Sequence, residues 1–151
     1  YTAMYEASDW GLTPEVSEKL GMKREIENAT RRMAEYRKRG IRVLPGGDYG
    51  FAWNPIGNNA RDLEHFVNLF GFSPMEAIVA ATKYGGQLMM KGDELGQVKP
   101  GYLADLLLVD GDPLADVTVL QDRDRLLGIM KDGQFHKRPQ ARAAVQRLAA
   151  E

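Results

Sequence analysis

The chain has 151 residues, with 20 lysines and arginines against 21 aspartates and glutamates, a net charge of -1, and no cysteine. That balance argues against nucleic acid or an anionic membrane as the main partner, and the lack of cysteine excludes a disulfide scaffold, a thiol nucleophile and a zinc–thiolate site. Hydrophobic residues make up 44% and no apolar run approaches the ~20 residues of a membrane span, so the sequence reads as one globular domain with cytoplasmic residence as the default.

Tyr1 stands where a start methionine would, and no signal-peptide pattern follows it, so Tyr1 to Trp10 reads as the interior of a longer polypeptide. Thr13-Pro14-Glu15 predicts a helix start: a capping hydroxyl, a proline at the first helical position and an acid at the positive end of the dipole. Gly21 breaks or weakens that helix. From Lys23 to Arg39 the positions Ile26, Ala29, Met33 and Tyr36 recur every three or four residues, which predicts an amphipathic helix ended by Gly40. Its Arg31-Arg32 and Arg37-Lys38-Arg39 clusters alternate with Glu25, Glu27 and Glu35 and read as a solvated face. Ile41, Val43 and Leu44 then predict a short strand over 41–45, cut off by Pro45-Gly46-Gly47.

Asp48 follows that strand. In α/β sheets and barrels the carboxyl ends of strands gather the catalytic groups, so Asp48 is the first candidate for chemistry. By itself, an aspartate among glycines is most simply a turn residue. Tyr49, Phe51 and Trp53 come next, in a loop running to Asn58. They either line a substrate pocket beside Asp48 or pack the loop onto its scaffold.

A third helix is predicted over about 59–70, with Leu63, Phe66, Val67 and Phe70 as its stripe and His65 one residue off it. Ser73-Pro74-Met75-Glu76 predicts a capping box opening a fourth helix that runs to a stop at Gly85-Gly86. Lys99-Pro100-Gly101 predicts a turn, Leu103 to Val109 an apolar strand interrupted by Asp105, and Asp132-Gly133 a tight hairpin between Leu126–Met130 and Gln134–His136. Asp105 inside an apolar run needs a hydrogen-bonding partner. The division is thus residues 1–91 as helix–strand–helix–helix, 92–138 as a small antiparallel β region, and 139–151 as a helical tail.

In order, the stretches Gly46-Gly47-Asp48, Leu63-Glu64-His65-Phe66-Val67, Ser73-Pro74-Met75-Glu76-Ala77-Ile78 and Ala80-Ala81-Thr82 resemble the metal-dependent amidohydrolases, in their imidazolonepropionase-like or prolidase-like branch. So do Gly96-Gln97-Val98-Lys99-Pro100-Gly101-Tyr102-Leu103-Ala104-Asp105-Leu106, Asp112-Pro113-Leu114 and Met130-Lys131-Asp132-Gly133. The resemblance covers roughly residues 23–137 and only the carboxyl-terminal part of the family. It implies an α/β fold in which 1–91 ends a (β/α)8 barrel and 92–138 supplies strands of a small composite β-sandwich. It makes 41–48 the eighth barrel strand and Asp48 the carboxylate that binds a divalent metal (zinc or similar) and takes a proton from the hydrolytic water. The family's remaining ligands, histidines and a carboxylated lysine or glutamate, have no counterpart among His65 and His136. The resemblance therefore implies an inactive fragment that binds no metal alone and is completed by a missing amino-terminal barrel portion that brings the small-molecule substrate site. The alternative is a non-catalytic α/β piece that self-associates as a homo-oligomer through exposed sheet edges.

Overall fold

The structure, a computed structural model, describes residues 13–52 and 54–140. The chain forms two units, Tyr1–Ser73 and Pro74–Glu151.

In the first unit, α1 spans Pro14–Lys19, and Thr13 caps it by accepting from the Val16 N–H at 3.3 Å. Gly21 separates α1 from α2, Met22–Lys38, so it acts as a break. Chain reversal after α2 comes at Gly40, with φ of 70°, and the Ile41 N–H donates back to Tyr36 O at 2.9 Å. α3 spans Arg61–Asn68 and buries Leu63 and Phe66. The Phe66 ring meets Phe70 edge-on at 5.5 Å and Phe72 at 4.8 Å. Arg37 of α2 lies over the Phe72 ring at 4.2 Å and donates to the carbonyls of Phe70 and Gly71, tying α2 to the end of α3.

The predicted strand over 41–45 is not formed: residues 41–50 lie in no regular element. An apolar run becomes a strand only when a neighbour supplies the ladder hydrogen bonds, and no described segment pairs with this one.

In the second unit, α4 is Pro74–Ala81 and α5 is Lys83–Leu88. The expected stop at Gly85-Gly86 is overturned, because both glycines lie inside α5 and the break falls at Thr82, whose hydroxyl donates to Ile78 O at 2.7 Å. Gly86 is there for close approach: a Cβ on it would meet the Leu95 carbonyl oxygen at 2.7 Å. Gly96 is tighter still, its missing side chain overlapping the Thr82 carbonyl, with Lys83 Cα at 3.0 Å. Lys99-Pro100-Gly101 is the expected turn, closed by the Tyr102 N–H donating to Lys99 O at 3.1 Å.

The β region is a three-stranded antiparallel sheet in the order β1-β2-β3, with β1 Leu106–Val109, β2 Leu126–Lys131 and β3 Gln134–Lys137. Leu107 pairs with Ile129, and Met130 with Phe135. Asp132 and Gly133 both have positive φ, 47° and 73°, the geometry a two-residue hairpin demands. A 3-10 helix, Val117–Gln121, not foreseen in the sequence, buries Val117 and Val119 and is capped by Asp116 accepting from Thr118 N. Of the predicted helical tail, residues 141–151 lie outside the described residues, and 138–140 are not helical. No helix among the described residues is long and apolar enough to cross a membrane.

Candidate functional site

The loop between α2 and α3 is built outward from its glycines. Gly47 admits no side chain: a Cβ there would run into the Tyr49 ring and sit 2.9 Å from Asp62 Oδ1. Asp48 follows with φ of 50°, the left-handed region that a non-glycine residue rarely occupies and that aspartate tolerates better than most. The Asn54 amide braces this turn by donating to Gly47 O at 2.6 Å and to Asp48 O at 3.3 Å. Asn54 is held in turn by the backbone, Gly50 N–H to Asn54 O at 2.9 Å and Asn54 N–H to Phe51 O at 3.0 Å. Asp48 is exposed, and its carboxylate makes no hydrogen bond or ion pair among the described residues.

The Tyr49 hydroxyl donates to Asp62 Oδ1 at 2.8 Å, with Asn58 O at 3.3 Å and Asn59 O at 3.5 Å nearby. Asp62 stands in the first turn of α3, where an acid is favoured by the dipole. Burial first, then the hydrogen bond to Asp62 and the charge on that carboxylate, raise the Tyr49 phenol above its usual value and keep its proton in place. Phe51 is 46% exposed, an apolar ring at the rim of the same loop. Trp53 lies outside the described residues.

Neither histidine joins Asp48 in a group of described residues that could hold an ion. His65 is half-buried in α3, and burial lowers its imidazole below the ordinary value, so the neutral form is favoured. His136 is exposed on β3. Among the described residues no three His, Asp or Glu side chains gather closely enough to hold one ion. Asp48 thus belongs to no such group there, and the donors in place do not fit a divalent metal.

The other polar concentrations are structural. In the second unit a groove is lined by Asp112, Asp116, Asp122 and Arg125. Each carboxylate there is turned onto backbone: Asp112 accepts from Leu114 N at 2.8 Å, Asp116 from Thr118 N at 2.9 Å, Asp122 from Asp124 N at 2.9 Å. These are turn and helix caps. Asp105 finds the partners its place in an apolar run requires, accepting from Asp132 N at 2.7 Å and from Lys131 Nζ at 3.3 Å. The Asp132 N–H, chiefly, holds the Asp105 carboxyl below the usual carboxylate range.

Sequence reasoning singled out Asp48 as a candidate but missed Asn54, which bonds the turn at Asp48, and Asp62, which bonds Tyr49. The spacing carried little signal for either, since Asp62 is 13 residues beyond Tyr49 and both residues read as an ordinary turn former and an ordinary first-turn acid.

Comparison with known proteins gives a consistent result. The model of the Amidohydrolase family matches residues 3–135. The ochratoxinase of Aspergillus niger is 32% identical over 107 residues, 68% of this chain and 21% of its own length. Its crystal structure superposes with a TM-score of 0.70 over 91% of this chain and 30% of that one, at 27% identity. The imidazolonepropionase of Aeromonas hydrophila is 26% identical over 102 residues, 68% of this chain and 25% of its length. A Xaa-Pro dipeptidase crystallised with methionine in its active site is similar with a TM-score of 0.62 at 28% identity, over 72% of this chain and 25% of that one. The chain therefore spans about a fifth to a quarter of the curated relatives it matches.

Proposed function

The chain belongs to the amidohydrolase family, and on that premise we propose that it is the carboxyl-terminal portion of a hydrolase of amide-type or cyclic C–N bonds, with Asp48 as its proton acceptor. In this reading 41–48 is the last barrel strand, which gains its ladder only in the complete barrel, and the three-stranded sheet is part of the small β-sandwich. The observation that carries the reading is the backbone of Asp48. A left-handed aspartate costs free energy, of order 1–3 kcal/mol for a strained residue. Here it is clamped by the Asn54 amide while its carboxylate is left exposed. Strain that serves no internal bond of the side chain is what a pre-positioned reactive group displays.

A carboxylate so placed takes a proton from an attacking water and returns it to the departing nitrogen, so that the C–N bond breaks with the amine leaving neutral. Phe51 would offer apolar surface to the substrate. The divalent metal of the family would need ligands beyond those the described residues supply. The rest of the barrel, bringing the small-molecule site, completes the chain. Cytoplasmic residence belongs to the same proposal.

Native mass spectrometry with elemental analysis of the purified protein tests completion: a heavier complex carrying metal supports it, and a metal-free single species of 16.9 kDa opposes it. Where turnover is found, Asp48→Asn is expected to reduce kcat by about 10²-fold or more. Near-normal turnover would remove the assigned role.

One observation favours a second reading, association with copies of itself. β1 is an edge strand of four apolar residues, and Leu107 and Leu108 are 55% and 51% exposed. An edge of that kind pairs readily with another strand. A monodisperse monomer in sedimentation would exclude it.

A further inference from the structure

We infer that Tyr49 is a positioning residue for Asp48: its hydroxyl, bonded to Asp62 on the first turn of α3, pins the loop that presents the carboxylate. The inference rests on the reading of Asp48 as the proton acceptor and gives Tyr49 a task other than contact with substrate.

Three features of the loop point the same way. The phenol has a single proton, and it is already donated to a charged acceptor, with the two oxygens 2.8 Å apart. Using that proton on a substrate would mean breaking a charge-assisted bond and leaving Asp62 short of its donor. The ring is also packed. It lies so close to Gly47 that no side chain fits there, so the residue before Asp48 is held between ring and backbone. Finally, Asn54 clamps the turn through Gly47 O and Asp48 O. The strained residue is thereby held in two ways: Tyr49 anchors the loop to a helix, and Asn54 closes the turn on itself. Without the anchor, the turn is free to relax from the left-handed region into the lower-energy backbone that a non-glycine residue prefers. The exposed carboxylate would then lose its fixed direction.

Two measurements on Tyr49→Phe, Asp62→Asn and Asp48→Asn test this. In the protein as purified, amide exchange of Gly50, whose N–H is bonded to Asn54 O at 2.9 Å, reports whether the loop is closed, while the α3 amides report that the unit is folded. Tyr49→Phe is expected to speed Gly50 exchange by about tenfold or more, the effect of losing one hydrogen bond to a charged group, with α3 unchanged. Asp62→Asn keeps an acceptor oxygen for the phenol and should stay close to wild type. Unchanged Gly50 exchange in Tyr49→Phe would overturn the inference. In the complete enzyme, Tyr49→Phe should lower kcat with KM unchanged, whereas Asp62→Asn should keep most of the wild-type rate. A raised KM with kcat unchanged would make Tyr49 a substrate contact and overturn the positioning role. Full activity of Asp48→Asn would instead sink the reading of Asp48, and the Gly50 exchange would still tell whether the pin itself exists.

Discussion

Gly85 and Gly86 are neighbours in α5, and changing each to alanine separates what a glycine does for a helix from what it does for packing. A glycine inside a helix is less favourable than alanine by about 0.5–1 kcal/mol, because its backbone loses more freedom on folding. At Gly85 nothing lies within 4 Å of the position a Cβ would take, so Gly85→Ala collects that gain in full and stabilises the protein. At Gly86 the same gain applies, but the new Cβ falls 2.7 Å from the Leu95 carbonyl oxygen and 3.2 Å from Leu95 Cβ. That carbonyl cannot swing away easily. The Leu95 N–H donates to Lys91 O at 2.9 Å, and the Lys91 N–H donates to Gly86 O at 2.9 Å, so the segment is tied to the helix it would have to leave. Reaching ordinary contact at 3.4 Å takes a backbone shift of about 0.7 Å, and overpacking of this kind costs about 1–3 kcal/mol. The helix term cancels between the two variants, and their difference isolates the packing cost. Urea unfolding with a shared slope reads it directly: Gly86→Ala should unfold at clearly lower urea than Gly85→Ala, by about 1 M for a slope of 1–3 kcal/mol/M. If the two midpoints coincide, close approach of the Leu95 segment is not why residue 86 is glycine.

Ser17 in α1 is fully buried, and its hydroxyl has no partner among the described residues. A buried hydroxyl left unpaired costs about 1–3 kcal/mol, so Ser17→Ala should stabilise the protein by about 1 kcal/mol; a drop in the thermal or urea midpoint would contradict this. Asp105, held below the usual carboxylate value by the Asp132 N–H, contributes stability that is present above the unfolded-state value. That contribution is lost as pH falls through the lower, folded-state value. Below about pH 4 wild-type stability should therefore fall more steeply than that of Asp105→Asn, which keeps an acceptor for the hairpin but cannot titrate. Parallel acid limbs would refute the linkage.

What the sequence disclosed, and what it concealed, divides along one physical line. Signals that act through the chain's own neighbours were legible. Thr13-Pro14 opened α1, Gly40 closed α2, Lys99-Pro100-Gly101 turned, and Asp132-Gly133 made the hairpin, each because a backbone angle or an orphan donor is decided within a few residues. Features decided by distant backbone were not. Ile41, Val43 and Leu44 carry the apolar pattern of a strand, yet a pattern cannot supply the pairing partner. Gly85-Gly86 reads as a helix stop because glycine often is one, and only the approach of Leu95 shows otherwise. Val117-Thr118-Val119 alternates like a strand and folds as a 3-10 turn because Asp116 caps it. At the proposed site, Asp48 was singled out from its place after an apolar run, whereas the Tyr49–Asp62 bond was hidden by the irregular loop between them.

The same line bears on how the proposed site is put together. Among the described residues, the hydrogen bonds that shape the turn at Asp48 come from within the loop or the first turn of the next helix: Asn54 to Gly47 O and Asp48 O, and Tyr49 to Asp62 at the start of α3. Co-ligands for an ion are a long-range requirement, met when other strands bring their side chains to the same mouth. Pose and partnership are therefore separable, and a chain that is silent by itself is compatible with a carboxylate already in position. On the proposed reading, completion would supply ligands and a substrate wall without reshaping the turn at Asp48. A loop spectrum that changed wholesale on completion would tell against local posing. A spectrum in which Gly50 and its neighbours stay put, while 41–45 acquire protected ladder amides, would bear it out.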